Sequence, residues 1–537
     1  MQKETPLIPL CKTILKALAI SAILLVCAIA THGHAVSSSL GRHPFNILDY
    51  GAKNDASASA TDAFRHAIAA AKAAGGGTIV VPAGKYTSGP IELFSNMTLD
   101  VEAGATIAFP VAPLPFEKTR YLGVETLAPM ALIGGRDVEN VTVTGSGTLT
   151  TGLYDDWAKA YGPPPVITDK SENANGPHWD HLLKSLEAGE PVTDADYRAA
   201  APELRPAFIY FANSKNILVE DVHVVGAPMF VVHLLYSENA TVRNVTVEAY
   251  PGPHVNGIVV DSSRFVRISG DYIDTGDDGI VIKAGKDADG LRVNRPSEDV
   301  AITNCTVHHA HGAVTIGSET SGSIRNVVAG NITAVDTENG IRIKSRRGRG
   351  GVVEDVRFDN WTMENVGTGI VVTSYYTMGG EGATAEEAAS RRTPVFRNIA
   401  ISNVTINHAA KAIDIEGLPE MPIQGLRLTD VVASGKTGLL ATDTDDLELH
   451  HVQVNADGGA AFAIDNAANL LLDGVTTSKP IAASPVVRLT HSPGAILRAS
   501  RASPGTGVFL SVGPGELRSV AQSGNELQNA RSPTEER

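Results

Sequence analysis

The segments "ATVRNVTV" (240–247), "VRISGDYI" (266–273) and "VAITNCTV" (300–307) repeat one pattern. Each joins two runs of alternating apolar and polar residues through an Asn or an Asp. Alternation with a period of two is typical of half-buried β-strands. The element recurs from Asp221 to Asp473, at intervals that lie mostly between 20 and 35 residues. A repeat of this length, made of short strands, predicts a solenoid.

The solenoid is predicted to be an all-β fold, a right-handed parallel β-helix of about ten coils. The strands of one coil stack on those of the next, and the inward Val, Ile and Leu side chains form one continuous apolar column. An aromatic content of only 5% suits a narrow core of aliphatic side chains. An Ala-rich stretch near residues 60–74, ended by Gly75–Gly77, predicts one helix that caps the first coil.

The predicted domain organisation places one solenoid between two terminal segments. Residues 1–35 resemble a secretory signal peptide, because lysines precede an apolar run and "GHA" (33–35) provides small residues for cleavage. The alternative is an uncleaved membrane anchor, but an apolar run of about 14 residues is short for a bilayer span. The remaining predictions are a single β-helix domain over 36–515, an N-terminal cap at about 45–90, loop excursions at about 150–205, 284–297 and 373–394, and a flexible polar tail over 516–537.

The charge balance limits the kind of partner. The chain has a formal net charge of −15, and the predicted signal carries three Lys and one Glu, so the mature chain would have −15 − 2 = −17. Such a charge argues against nucleic acid as a partner. An acidic substrate would need a local basic site, because the global field repels it. Cys305 is the one cysteine beyond the signal, which excludes an intramolecular disulfide in the mature chain.

Three consecutive repeats carry the chemically unusual residues: "TGDDGIVIK" (275–283), "HAHGAVTIGSETSG" (309–322) and "NGIRIKSRRGRGG" (339–351). Their spacing matches the repeat, so the three segments should stack and their polar side chains should converge. In the last segment, strand alternation puts the two isoleucines on one face and the two cations, Arg342 and Lys344, on the other.

The same alternation places Asp277 on the outer face, and a bend at a flanking glycine would bring Asp278 there too. His311 lies on the coil between these carboxylates and the cations. Two carboxylates can divide the work of glycoside hydrolysis, because one protonates the leaving oxygen while the other activates water. A neighbouring Arg–Lys pair could hold the carboxylate of an acidic sugar. Each residue alone would more often be structural, and their joint position indicates a sugar-acid site.

The chain resembles the polygalacturonase family, glycoside hydrolase family 28, over roughly residues 45 to 430. Three of the family's motifs, G-D-D, G-H-G and R-I-K, correspond to Gly276-Asp277-Asp278, Ala310-His311-Gly312 and Arg342-Ile343-Lys344. The resemblance implies that Asp277 is the general acid, that Asp278 positions or deprotonates water, and that hydrolysis inverts the anomeric centre without a metal. Tyr376 falls where the family often has a tyrosine that contacts substrate.

One family motif is altered. Where N-T-D is expected, one coil before Asp277, the chain reads His254-Val255-Asn256. Asn256 can orient a water molecule but cannot take its proton. It is therefore predicted as a substrate-site residue and not as a base.

The resemblance implies a secreted or periplasmic hydrolase that cleaves α-1,4-galacturonosyl linkages in pectin. Its partner would be a pectic polysaccharide or a galacturonate oligomer, and it would be a monomer with no cofactor, no nucleic acid and no membrane contact after signal cleavage. Three alternatives stay open: a catalytically weakened pectin-binding homologue, a hydrolase of rhamnogalacturonan or a substituted pectin, and a polysaccharide lyase. The lyase ranks lowest, because lyases often need Ca²⁺ held by several carboxylates and no wider acidic cluster is evident. The sequence leaves endo and exo attack undecided.

Overall fold

Parallel strands in stacked coils form the body of the molecule. The computed structural model describes residues 44–153, 156, 157, 159, 176–376 and 386–537. The predicted signal peptide and parts of two predicted loop excursions lie outside these residues. Pro44–Arg537 forms one compact unit.

Each coil contributes to three parallel sheets, named sheets 1, 2 and 3. Sheet 1 contains β5 (Ile91–Glu92), β10 (Ile133–Arg136), β13 (Ile209–Ala212), β16 (Val232–Leu235), β19 (Ile258–Asp261), β22 (Ile280–Lys283), β25 (Val314–Gly317), β27 (Asn339–Lys344), β29 (Thr368–Thr373), β34 (Phe462–Ala468), β36 (Pro485–Thr490), β38 (Val508–Val512) and β40 (Ser532–Glu536). Sheet 2 contains β1 (Pro44–Asn46), β3 (Gly77–Val81), β6 (Met97–Val101), β11 (Glu139–Thr144), β14 (Lys215–Glu220), β17 (Glu238–Arg243), β20 (Arg264–Ser269), β23 (Ser297–Thr303), β32 (Glu448–His450), β35 (Leu471–Asp473), β37 (Ile496–Arg498) and β39 (Ala521–Ser523).

Sheet 3 contains β2 (Asp55–Ser59), β4 (Gly84–Thr87), β7 (Ala105–Phe109), β12 (Thr148–Thr151), β15 (His223–Val225), β18 (Thr246–Glu248), β21 (Tyr272–Asp274), β24 (Thr306–His308) and β33 (Gln453–Ala456). Four long strands bend through more than one sheet: β26 (Ile324–Val335), β28 (Val352–Glu364), β30 (Val395–Glu416) and β31 (Ile423–Asp445). Only β8 (Phe116–Tyr121) and β9 (Val124–Pro129) pair antiparallel among the named strands of the described residues.

The predicted right-handed parallel β-helix is confirmed, but it is longer than the repeat predicted. In the described part of the chain, fourteen successive parallel pairings link fifteen strand segments of sheet 1, from Ile91 to Glu536. The prediction of about ten coils counted only coils that carry the Asn or Asp element. Coils before Asp221 and after Asp473 stack equally well without it.

A single apolar column runs through the coils, and one helix covers its first end. Alternate residues of each strand point inward, as in β27, where Ile341 and Ile343 are fully buried. Helix α1 (Thr61–Ala73) buries an apolar face that includes Phe64 and Ile68 in the same core. The predicted capping helix is therefore present, because a solenoid end exposes apolar side chains that some element must cover.

The tail prediction over 516–537 is wrong. Within that segment, β39 pairs with β37 and β40 pairs with β38, so the last residues add to the coils. The polar composition of these residues did not indicate that they form the last coil, because a terminal coil needs apolar residues on its inward side only.

The insertions in the early coils form a second structured layer. It contains the β8–β9 hairpin and helices α2 (Pro177–Ala188) and α3 (Asp194–Ala200), with α4 (Asp287–Val293) nearby in a later loop. Two of the predicted excursions thus carry helices. No helix among the described residues has the length and apolar character needed to cross a membrane.

Candidate active site

The predicted site residues lie where the chain enters successive strands of sheet 1. Asp277 and Asp278 immediately precede β22, and His311 precedes β25, the next strand of the sheet. Arg342 and Lys344 follow on β27, with their side chains on the outer face as strand alternation predicted. Stacking therefore gathers residues that are up to 67 positions apart (277 to 344).

Asp277 is surrounded by hydrogen-bond donors. The Nδ1 atom of His311 lies 3.3 Å from one carboxylate oxygen, and Asn256 Nδ2 donates to the other at 3.1 Å. His254 Nδ1 is 3.8 Å away. Burial alone would raise the pKa of this carboxyl, but the two imidazoles and the Lys344 ammonium hold the pKa of Asp277 well below its usual range.

His311 forms a proton-sharing pair with Asp277. Burial lowers the pKa of an imidazole, but the hydrogen bond and charge of the Asp277 carboxylate outweigh it, so the pKa of His311 is raised above its ordinary 6.5. The ring is 41% exposed and can therefore exchange its proton with solvent or substrate. At mildly acid pH the pair holds one proton beside the groove.

Asp278 is held in place from three directions. Lys344 Nζ and Arg342 Nη1 lie 3.0 and 3.4 Å from its oxygens, and the Thr315 hydroxyl donates to it at 2.8 Å. Its side chain is 2% exposed. Burial raises the pKa of this carboxyl, yet Lys344 and Arg342 together lower the pKa of Asp278 overall. The carboxylate is thus ionised, as acceptance of a proton from water requires.

A glycine permits this close packing. A β-carbon at Gly312 would lie 2.2 Å from the Thr315 hydroxyl and 3.1 Å from Asp278 Oδ1. The family's second glycine in G-H-G is therefore explained by close approach. Ala310 replaces the first glycine and is accommodated in the buried core.

Tyr376 completes the cationic side of the site. Its ring centroid lies 5.5 Å from the Arg342 guanidinium carbon and 4.7 Å from Lys344 Nζ. Such contacts orient both cations by cation–π attraction. The two cations that the sequence predicted as a clamp thus lie together, and both contact Asp278.

Asn256 occupies the place expected for the missing carboxylate. It is 2% exposed, and its amide nitrogen donates to Asp277 while its Oδ1 atom has no protein hydrogen bond. This free acceptor can orient a hydroxyl or a water proton but cannot become a proton carrier.

A small pocket of about 60 Å³ is lined by Asn256, Asp277, Asp278, His311, Lys344 and Tyr376. Its lining also includes residues that the sequence analysis did not select: Leu122, His254, Lys283, Lys286, Ser318, Glu319 and Arg349. Lys283 ends the strand that follows the Asp pair and could have been selected by alternation. Glu319 had no sequence signal, because its loop does not follow the strand pattern.

The outer face of sheet 1 is covered on the side of the N-terminal coils. Val259 on β19 and Val281 on β22 point outward by alternation, yet both are fully buried under Tyr121, Trp179 and Phe230. Val281 is in register with Thr315 on the next strand, and Thr315 donates to Asp278. The second layer therefore covers the outer face of sheet 1 as far as β22, the strand that follows the two carboxylates.

An ion pair fastens this layer, which we call the wall (β8–β9, α2 and α3). Arg120 Nη1 lies 2.7 Å from Asp261 Oδ1 and also donates to the Ser262 hydroxyl. Burial opposes the charge of Asp261, but Arg120 lowers the pKa of that carboxyl to about 2. Removal of one partner from such a buried pair typically costs about 3–5 kcal/mol, so the wall is firmly attached.

Within the described residues, no group of three or more His, Cys, Asp or Glu side chains is arranged to hold a metal ion.

Comparison with known proteins relates this geometry to a family. Residues 195–446 match the family described as glycosyl hydrolases family 28, and residues 44–107 match the description rhamnogalacturonase A/epimerase, pectate lyase-like. The crystal structure of a hyperthermoactive exopolygalacturonase from Thermotoga maritima superposes with a TM-score of 0.66 at 31% identity, covering 77% of this chain and 92% of that one.

Two sequence relatives extend the comparison. A Vitis vinifera protein named "Probable polygalacturonase" is 28% identical over 407 residues, which are 72% of this chain and 74% of that protein. The exo-poly-alpha-D-galacturonosidase of Dickeya chrysanthemi is 25% identical over 455 residues, 81% of this chain and 75% of that protein.

Proposed function

The chain belongs to glycosyl hydrolases family 28, and from this premise we propose that it is a pectin-degrading hydrolase that removes residues from the end of an α-1,4-linked galacturonan. Its substrate would be a pectic polysaccharide or a galacturonate oligomer. The named relatives, two of them exo-acting, support this substrate class.

Charge supports uronate recognition. The protein is acidic as a whole, but Arg342 and Lys344 lie side by side at the site, where both contact Asp278. Guanidinium binds carboxylate through a planar pair of donors. A substrate carboxylate beside Arg342 would share the cations that now contact Asp278, which lowers the electrostatic cost of bringing an acidic polymer to an acidic protein.

The chemistry follows from the two carboxylates. The Asp277–His311 pair supplies its proton to the glycosidic oxygen as the bond from that oxygen to the anomeric carbon breaks. Asp278 accepts a proton from the attacking water, whose oxygen bonds to the anomeric carbon from the opposite face. The anomeric configuration inverts, and the protons return to their starting groups through solvent.

The observation that carries exo attack is the wall over Val259 and Val281. A polymer that ran through the groove in both directions would have to pass over these outward-facing side chains, and both are fully buried. A chain end needs only the pocket beside the two carboxylates. The site is therefore expected to accept an end and to release small products.

The signal-like segment at residues 1–35 supports action outside the cytoplasm. We propose secretion or export to the periplasm, where the enzyme would act as a monomer. Edman sequencing or mass spectrometry of the mature N-terminus tests this directly.

Digestion of polygalacturonate tests the activity and its mode. We expect galacturonate or a short oligomer from the first minutes, a slow fall in viscosity, and saturated ends. A ladder of intermediate oligomers would contradict exo attack, and ultraviolet-absorbing unsaturated ends would indicate a lyase.

The acid is tested by Asp277→Asn. Removal of a general acid typically costs about 10²–10⁴ in rate, so we expect product formation to fall by at least that range with an unchanged unfolding midpoint. Full activity in Asp277→Asn would contradict the assigned role. If the wild type cuts no pectic polymer yet binds one, the weakened-homologue alternative, motivated by Asn256, is favoured.

A further inference from the structure

A buried ion pair lies in the pocket, and the hydrolysis steps above do not use it. Lys283 Nζ lies 3.0 and 2.9 Å from the two oxygens of Glu319. The two side chains are 7% and 8% exposed, and both line the pocket together with Asp277 and Asp278. Burial would neutralise each group alone, but their attraction raises the pKa of Lys283 and lowers the pKa of Glu319, so both stay charged.

The pair lies at the closed end of the pocket. Lys283 is in register with Asp261, the anchor of the wall, on one side and lies two strands before Lys344 on the other, with Gly317 between. The wall tip packs closely against the Glu319 side chain, since a β-carbon added at Gly123 would lie 2.8 Å from Glu319 Cγ. A sugar residue in the pocket would have the catalytic groups at one edge and this pair at the other.

Because both groups of the pair are charged and bonded to each other, they restrict which substrate group can bind beside them. A second carboxylate beside Lys283 would face repulsion from Glu319, which already occupies the ammonium. A hydroxyl meets no such conflict, because it can donate to a Glu319 oxygen and accept from Lys283 Nζ at once. A buried pair of a charged donor and a charged acceptor is therefore suited to a sugar hydroxyl.

In a 1,4-linked chain, every internal residue carries its 4-oxygen in a linkage, and only the non-reducing end has a free 4-hydroxyl. We propose that the Lys283–Glu319 pair binds this terminal 4-hydroxyl and thereby selects the non-reducing end of the chain. The proposal rests on the proposed function and adds to it the group that is recognised. The wall excludes a longer chain by steric overlap, and the pair binds the chain end that has a free 4-hydroxyl.

Paired substrates test the idea in the intact enzyme. Saturated trigalacturonate has the terminal 4-hydroxyl, and 4,5-unsaturated trigalacturonate lacks it. We expect the wild type to prefer the saturated trimer in kcat/KM by at least about 10²-fold, since a site built to bond a hydroxyl rejects the analogue that lacks it. In Glu319→Gln, which keeps the side-chain shape, this preference should shrink at least tenfold.

A second, half-buried ion pair provides the control. Arg347 and Glu420 lie 2.6 Å apart outside the pocket, and Glu420→Gln should leave the preference unchanged. Unfolding midpoints of both variants separate a local effect from damage to the fold. Lys283→Met provides a second test of the pair and should reduce the preference as well.

The outcomes separate the two claims. Cleavage of saturated trimer with equal wild-type rates on both substrates, or with a preference that Glu319→Gln and Lys283→Met both leave intact, overturns the inference and leaves the hydrolase standing. Absence of cleavage of the saturated trimer at any enzyme concentration overturns the proposed function and the inference together.

Discussion

Asn256 is the residue at which this chain departs most from its family. Its amide donates to Asp277 at 3.1 Å and, like any donor to a carboxylate, favours the ionised form of that acid, while Asp278 alone is left to deprotonate water. Asp278 is a weak base, since Lys344 and Arg342 lower its pKa. The Asn256 amide thus disfavours proton donation by Asp277 and leaves the deprotonation of water to a weak base.

We therefore expect Asn256→Asp to raise kcat on galacturonan. A carboxylate here would add a second base and would raise the pKa of Asp277 by like-charge repulsion, which helps that group to carry a proton. We expect a gain of roughly tenfold, below the about 10²–10⁴ that a general base typically contributes, because Asp278 already supplies one base. Asn256→Ala is the control, because it removes the amide without adding a base. An unchanged or lower kcat in Asn256→Asp would mean that Asn256 is adapted to another substrate.

The Asp277–His311 pair predicts a pH dependence. The pKa of His311 is raised above 6.5, so the pair still holds its proton at pH 6.5 and loses it as pH rises through the raised pKa. The basic limb of kcat/KM should therefore lie above pH 6.5 in the wild type. In His311→Gln the proton must reside on Asp277 alone, and the limb should move to the acid side of 6.5. His308→Gln is the control, and an unmoved limb in His311→Gln would exclude a shared proton.

At the scale of elements, the turn between sheets 2 and 3 is built from an Asn ladder. Asn244, Asn304 and Asn331 adopt left-handed backbone conformations, and Asn331 Nδ2 donates to Asn304 Oδ1 at 3.1 Å. The sequence repeat aligned Asp271 with these asparagines. In the structure the equivalent residue is Gly270, one position earlier. Gly270 takes the left-handed position at φ 73°, which glycine adopts without strain.

The shift places Asp271 in the core. It lies between coils at the position that Val245 and Cys305 occupy in the neighbouring coils, and it accepts a hydrogen bond from the Val245 amide at 2.8 Å. Burial raises the pKa of Asp271 to about 7. Because an unfolded chain would release this proton near pH 3.8, the folded state binds more protons between these values, and its stability falls as pH rises through them.

Asp271→Asn should therefore stabilise the protein at neutral pH. The gain should be near zero below pH 4 and should grow to at most about 4 kcal/mol by pH 7, since each pKa unit is worth about 1.36 kcal/mol. Urea unfolding at pH 4.5 and 7.5 measures it. The exposed ladder residue Asp221, as Asp221→Asn, is the control. A gain that does not depend on pH would contradict the buried carboxyl.

At the scale of the whole molecule, the solenoid depends on the coverage of its ends. The last coils include Leu517 and Leu527, which pack against the common core, and β40 covers the edge of β38. Such an edge would otherwise expose unpaired backbone groups and apolar side chains.

Truncation after Gly515 should therefore lower the unfolding midpoint by about 5 °C or more, and the shortened protein should aggregate more readily. The turnover number at 25 °C should stay unchanged, because the site lies on coils that the deletion does not touch. Differential scanning calorimetry beside a rate assay measures both. An unaltered midpoint would restore the interpretation of 516–537 as a dispensable tail.

Local pattern was sufficient to predict the solenoid, its capping helix and the convergence of Asp277, His311 and Arg342. Period-two alternation specifies which side chains face inward, and a constant repeat length specifies which residues stack. Both are short-range properties of the chain, so the sequence alone is sufficient to recognise them.

Tertiary structure alone decided the closed end of the groove, the Lys283–Glu319 pair and the burial of Asp271. The wall comes from insertions that have no period, and its position depends on docking against Val259 and Val281 after the coils have formed. Glu319 can form its ion pair only after the coils have stacked and placed it 2.9 Å from Lys283. The one-residue offset at Gly270 keeps the alternation of apolar residues, but it places Asp271 in the core and not at the exposed turn. Contacts of this kind arise from packing between distant segments, and the linear pattern does not encode them.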